Sequence, residues 1–282
     1  MKPQNLKTKI FLDSGDPEET KLALAMLGFL DGQTTNPSLI AKNPETAGKK
    51  FSQQELFDFY RKVVEQVSSL IPDGSVSVEV YADEKTTAEE MLKQGSEFYK
   101  WIPNAHIKYP TTAEGLKAAE LSVKQGMRVN MTLVFSQEQG AAVYAATAGA
   151  KKGDVFLSPF IGRLDDRGEN GMDLISNTLK IYGSGDGHVE VLTASVRSLD
   201  HFLEAIRLGS DIITTPLKIL KEWAAAGMNM PDENFSYKPE SLKPIPYQEI
   251  NLNQSWDSYN IKHELTDKGI EKFAADWNAL IK

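Results

Sequence analysis

The chain contains no cysteine among its 282 residues. That excludes disulfides, thiolate nucleophiles and cysteine-ligated metals, and it fits a reducing compartment. No stretch reaches the length of a membrane-spanning helix. The N-terminal MKPQNLKTKIFLDSGD carries only a short apolar run at 10–12 before Asp13, too short for a signal peptide. A cytoplasmic protein is therefore expected. Histidine is scarce too: His106, His188, His201 and His263 show no metal-ligand spacing, and His106 reads as a core neighbour two residues from Lys108. Positive charge is not in excess, since 31 Lys and Arg face 39 Asp and Glu for a net charge of −8. Neither nucleic acid nor an anionic membrane is an expected partner, and any anionic ligand must be held by a few local cations.

What is present is an ordinary globular balance of 41% hydrophobic and 25% charged residues. Short apolar or alternating runs recur at 10–13, 32–36, 76–81, 107–109, 129–134, 155–161, 189–194 and 212–215, with an amphipathic stretch after each. The first such stretch, 17–28, has Pro at its first position, Glu18 and Glu19 in its first turn and Gly at its end, all helix signals. Strict strand and helix alternation predicts a parallel sheet with crossover helices. Eight units predict closure into a single (β/α)8 TIM barrel over residues 1–228. Residues 229–264 depart from this rhythm, being rich in Pro, Asn and aromatics, and Thr266 or Asp267 is placed to cap a last helix ending near Leu280. Residues 229–282 thus read as a C-terminal extension packing on the barrel, not a second domain. So long a connection is expected to cover something or to meet a partner subunit in a homo-oligomer.

In such barrels catalytic groups gather where strands end and loops begin. Those positions hold Asp13 in the first strand, Asn36 in the second, Glu79 in the third and Lys108 in the fourth. The fifth offers Asn130 and Thr132, the sixth Ser158 and Arg163, and the seventh Ser195 and Arg197. Taken singly, several have a structural reading. Asp13 competes with Ser14 and Asp16 to cap the first helix, and Asn36 before Pro37 suits a turn or cap. The hydroxyls of Thr132 and Ser195 suit ordinary strand positions, and the arginines suit surface ion pairs with Asp165 and Asp166. Glu79 and Lys108 are different, because inward charges in a barrel are costly unless paired. They are either an ion pair filling the barrel mouth or an amine kept for chemistry.

The chemical reading asks for an amine that is neutral often enough to attack a carbonyl, a state that burial and nearby positive charge favour. Thr111 and Glu114 of PTTAEG have the spacing of a capping box, which would start a helix just after Lys108 with its positive end on the same face. Asp13 and Glu79 could then move protons, while Arg163 and Arg197 could meet a phosphate from adjacent strands.

With these residues assembled, the sequence resembles the transaldolase family, class I Schiff-base enzymes on a (β/α)8 barrel. The likeness runs through IFLDSGD, DGQTTNPSLI, IKYPTTAEGLKA, VNMTLVFSQEQ, LSPFIGRLDD and VLTASVRS. The resemblance implies Lys108 as the Schiff-base lysine, Asp13 as acid/base, Glu79 and Thr132 as the pair that positions a catalytic water, and Thr34, Asn36, Asn130 and Ser158 as substrate contacts. It assigns the sugar phosphate to Ser195, Arg163 and Arg197. It further implies transfer of a dihydroxyacetone unit between sugar phosphates in the pentose phosphate pathway, with no cofactor and no metal. The related fructose-6-phosphate aldolases, which release the three-carbon unit, tend to carry Gln where Glu79 stands and Tyr where Phe160 stands. A barrel that only binds sugar phosphates is the other alternative. Tyr109 departs from the small aliphatic residue usual after the lysine.

Overall fold

The computed structural model describes residues 2–239 and 241–282. Eight parallel strands close on themselves in sequence order: β1 (Lys9–Asp13), β2 (Gly32–Thr34), β3 (Ser75–Glu79), β4 (Ala105–Pro110), β5 (Val129–Val134), β6 (Val155–Pro159), β7 (Val189–Thr193) and β8 (Ile212–Thr215), which returns to β1. From β4 to β8 every strand residue is buried. The barrel interior covers one face and a ring of helices the other, which is why these strands read as apolar runs rather than as clean alternation.

The helices are α1 (Pro17–Leu27), α2 (Pro37–Ala41), α3 (Gln53–Leu70), α4 (Ala88–Phe98), α5 (Ala113–Lys124), α6 (Gln137–Ala146), α7 (Ile161–Asp165), α8 (Gly171–Tyr182), α9 (Leu199–Leu208), α10 (Leu217–Ala225) and α11 (Glu264–Asn278). The short α2 and α7 were not anticipated; each is a single turn inserted between a strand end and the main crossover helix. Polar N-caps set most helix starts. Asp16 caps α1, accepting from Glu18 N at 2.9 Å, and so leaves Asp13 free of that duty.

The capping box expected at Thr111 and Glu114 does not form. β4 runs on through Pro110, so Thr112 becomes the cap of α5 and accepts from Gly115 N at 3.1 Å. Thr111 Oγ1 instead donates to Thr132 O at 2.8 Å, while Glu114 Oε2 accepts from Ala88 N at 2.7 Å and ties α5 to α4. Tyr109 is buried on the outer face of β4, its hydroxyl 3.0 Å from Ser122 Oγ. Helix α4 passes it at Gly95, where a Cβ would lie 2.1 Å from the Tyr109 hydroxyl. The large side chain and the glycine opposite are thus one packing unit.

Beyond α10 the chain carries only a 3-10 turn (Trp256–Ser258) before α11 among the described residues. It is pinned to the barrel's flank: Asn177 Nδ2 donates to Ile245 O at 2.8 Å and Gln137 Nε2 to Pro246 O at 2.8 Å. Helix α11 then packs on α2 and β5. Its cap is His263, not Thr266 or Asp267. Thr266 is drawn inward, its hydroxyl donating to Leu133 O at 2.9 Å and accepting from Gln139 Nε2 at 2.9 Å.

Candidate active site

Parallel pairing places Glu79 of β3 directly beside Lys108 of β4. Both are at most 4% exposed, and Lys108 Nζ lies 2.8 Å from Glu79 Oε2. The contact is a close charge pair, although its alignment leaves Glu79 Oε2 without a well-directed hydrogen bond. Lys108 Nζ also donates to Thr35 O at 3.2 Å. Tyr60 braces the group from outside the barrel: Glu79 N donates to its hydroxyl at 2.9 Å, and that hydroxyl is 2.5 Å from Thr35 Oγ1. Taking both charges out of water costs more than ordinary packing would, so structure alone gives little reason to keep them.

Asp13 closes β1 on the same side of the barrel. Thr34 Oγ1 donates to its Oδ1 at 2.6 Å. Burial pushes the Asp13 carboxyl above its usual range, with the Lys108 charge and the Thr34 hydroxyl pulling the other way. Burial raises Glu79 as well, against the attraction of Lys108. Around this centre runs a neutral chain: Ser158 Oγ donates to Asn130 Oδ1 at 2.7 Å, and Asn130 Nδ2 to Ser77 Oγ at 3.0 Å. Thr132 Oγ1 is buried with no hydrogen-bond partner among the described residues. Asn36 caps α2 through Oδ1, accepting from Leu39 N at 2.9 Å, which leaves its amide hydrogens uncommitted.

A cavity of about 250 Å³ opens above these residues, and Asp13, Thr34, Asn36, Lys108, Ser158, Arg163, Ser195 and Arg197 all line it. Glu79, Asn130 and Thr132 do not line it; they are buried and reach it through Lys108 and Ser158 or from the strand next to Lys108. The two arginines differ. Arg197 is held by exposed Asp166, Nη2 to Oδ2 at 2.9 Å. Arg163 has no carboxylate partner among the described residues and lies 5.8 Å from the ring centres of Phe160 and Phe273. Desolvation, then the Arg197 charge, lowers its pKa, the mark of two cations facing one space. Helix α7 and the segment after β7 approach so closely that a Cβ on Gly162 would sit 2.4 Å from Ser195 O and 2.6 Å from Arg197 Nε. Ser195 itself has a φ of 59°, a left-handed conformation uncommon for serine and concentrated at functional sites.

A larger cavity of about 810 Å³ lies at the opposite end of the barrel, lined by Lys7, Lys9, Asp31 and Arg128 among others. It contains none of the strand-end residues above, and of the two cavities only the smaller is lined by Lys108. His106 faces that far end. Its ring stacks on Phe156 at 4.0 Å, Nε2 lies 2.9 Å from Gly153 O and Nδ1 2.7 Å from Ser75 Oγ. Nε2 must donate to the carbonyl, so Nδ1 accepts, and burial pulls the imidazole pKa down to about 3.

Sequence reasoning missed Lys42 and Thr214, and the α11 residues Lys272, Phe273 and Asp276, all on the cavity wall. Thr214 had a signal, a hydroxyl at the end of the eighth strand. The α11 residues had none, because only the folded path of 229–263 brings them to the mouth. No cluster of three or more metal-ligating side chains occurs among the described residues, and no helix there is long and apolar enough to cross a membrane.

Comparison with known proteins gives the family. The family model described as transaldolase/fructose-6-phosphate aldolase matches residues 10–282. A protein of Dehalococcoides mccartyi named "Probable transaldolase" is 36% identical over 274 residues, 97% of this chain and 100% of its own. Another of that name, from Herpetosiphon aurantiacus, is 38% identical over 269 residues, 95% of this chain and 94% of its own. Among solved structures, 3-hexulose-6-phosphate synthase from Salmonella typhimurium superposes with a TM-score of 0.48 at 11% identity, over 79% of this chain and 98% of its own, too distant to carry an argument. The chain belongs to the transaldolase/fructose-6-phosphate aldolase family.

Proposed function

We propose that the protein is a transaldolase, moving a dihydroxyacetone unit from fructose 6-phosphate or sedoheptulose 7-phosphate to glyceraldehyde 3-phosphate or erythrose 4-phosphate through an imine on Lys108. The observation that carries this reading is the buried Lys108 amine, in contact with Glu79 and sharing one cavity with Asp13 and two arginines. Lys108 Nζ adds to the ketone carbonyl to give a carbinolamine. Glu79, through a water shared with the uncommitted Thr132 hydroxyl, protonates the departing hydroxyl, and loss of water leaves an iminium ion. Asp13 takes the proton of the C4 hydroxyl. The C3–C4 bond then breaks, its electron pair moves into the iminium to form an enamine, and an aldose phosphate leaves. The same steps reversed add the enamine to the acceptor aldehyde.

The raised Asp13 carboxyl suits the base role, since its proton affinity moves toward that needed near neutral pH. Arg163 and Arg197 bind the phosphate, with Ser195 between them. Asn36, Asn130 and Ser158 hydrogen-bond the sugar hydroxyls and the carbonyl-derived oxygen. Phe160 and Glu79 are the pair expected for transfer rather than release.

The test is borohydride reduction with fructose 6-phosphate followed by mass mapping, together with turnover measured with and without an acceptor aldose. A three-carbon adduct on Lys108 and acceptor-dependent turnover are expected. Absence of the adduct rules out the imine, and steady cleavage without acceptor makes the protein an aldolase.

A further inference from the structure

We infer that Thr214 is a positioning residue for Asp13, acting through the hydroxyl of Thr34. The inference rests on the reading above, in which Asp13 takes the substrate proton. Thr214 lies on β8, is 2% exposed and lines the cavity. β1 lies between β2 and β8, yet the Thr34 and Thr214 hydroxyl oxygens meet inside the barrel at 2.5 Å. Thr34 Oγ1 is at the same time 2.6 Å from Asp13 Oδ1.

Proton counting fixes the direction of this chain. A hydroxyl has one hydrogen to donate, and an ionised carboxylate only accepts. The Thr34 hydrogen is therefore committed to Asp13, and the hydrogen in the Thr34–Thr214 contact comes from Thr214. Two consequences follow. Oδ1 of Asp13 is occupied, so Oδ2 is the oxygen left to take a substrate proton. Donation from Thr214 also polarises the Thr34 hydroxyl, making it a stronger donor to the ionised carboxylate. The charged groups facing Asp13 are Lys108 from β4, Lys42 just after α2 and Glu19 from α1, with Glu79 beyond Lys108. None of them fixes an individual carboxylate oxygen, and the hydroxyl chain does.

The experiment compares the pH dependence of kcat/KM for the wild type, Thr214→Val, which keeps the shape and removes the hydroxyl, and Thr214→Ser, which restores it. Thr214→Val is expected to move the acid limb upward by a few tenths of a pH unit, with about a two- to threefold loss of kcat, since the bond removed is the neutral one to Thr34 and only its polarising share reaches the carboxylate. Thr214→Ser is expected to bring the limb back. Thr214→Ala serves as a second hydroxyl-free variant should Thr214→Val fold poorly. An unmoved acid limb in a folded hydroxyl-free variant overturns the inference, as does equal displacement in Thr214→Ser. Borohydride trapping on wild-type Lys108 runs alongside. Its failure removes the transaldolase reading, whereas trapping with an unmoved limb removes only the role of Thr214.

Discussion

Asp13 and Glu79 sit within one barrel mouth with a single buried lysine, so two carboxyls compete for one close cation. For Asp13 the balance raises the pKa above its usual range, burial outweighing the pull of Lys108 and Thr34. A carboxyl with a folded pKa above its unfolded value binds its proton more tightly in the native state. Stability from that source is full below the unfolded pKa and falls as pH rises through the folded one. At neutral pH the Asp13 charge therefore costs stability, the trade-off that the proposed base role entails. Asp13→Asn is expected to raise the melting temperature at pH 7 while lowering kcat by about 10²- to 10⁴-fold, the usual share of a general acid–base group. Thermal melts at pH 7 and near pH 3 check it. The gain should shrink at the lower pH, and a variant that melts lower than wild type at pH 7 contradicts the account.

Among the elements, α11 lies furthest along the chain from the strand ends, yet Lys272, Phe273 and Asp276 reach the cavity wall. Its seat depends on one buried side chain. Gln139 accepts from Phe135 N at 2.7 Å and donates to Ile261 O at 3.0 Å and Thr266 Oγ1 at 2.9 Å, joining the end of β5, the tail and α11. Gln139→Leu leaves those partners buried and unpaired, at about 1–3 kcal/mol for each that finds no water. The expected result is a loss of that order in urea unfolding and a raised KM for the ketose phosphate, although residue 139 lies outside the cavity. Unchanged KM in a destabilised variant would separate α11 from the site. The same contacts explain what could be read in advance. The inward groups at most strand ends, such as Asp13, Lys108 and Thr132, were legible because strand period is a local pattern, although Thr214 was passed over. Helix α11, the brace from Tyr60 and the Thr34–Thr214 contact were not, because each joins residues far apart in the chain. The misread capping box had a local cause: Thr111 and Thr112 both suit a cap, and only the length of β4 decides between them.

Across the whole molecule, the two ends of the barrel respond to acid with opposite sign. At the mouth, Asp13 and Glu79 have raised pKa values, so acidification through their titration relieves a native-state cost. At the far end, His106 is held neutral with a pKa near 3 against an ordinary 6.5. As pH falls below 6.5 the unfolded chain takes up a proton there that the native barrel refuses until about pH 3. Stability from this residue is complete above the unfolded value and drains away as pH drops, by up to about 1.4 kcal/mol per pH unit. His106→Asn cannot titrate, so its unfolding free energy should fall less steeply between pH 6 and pH 4, by roughly one proton's worth of slope. The comparison must be of slopes, since loss of the Phe156 stack lowers stability at every pH. Urea unfolding at half-unit pH steps measures it. Parallel curves for wild type and variant would mean that His106 already takes up its proton in the native barrel, and that acid sensitivity arises at another group.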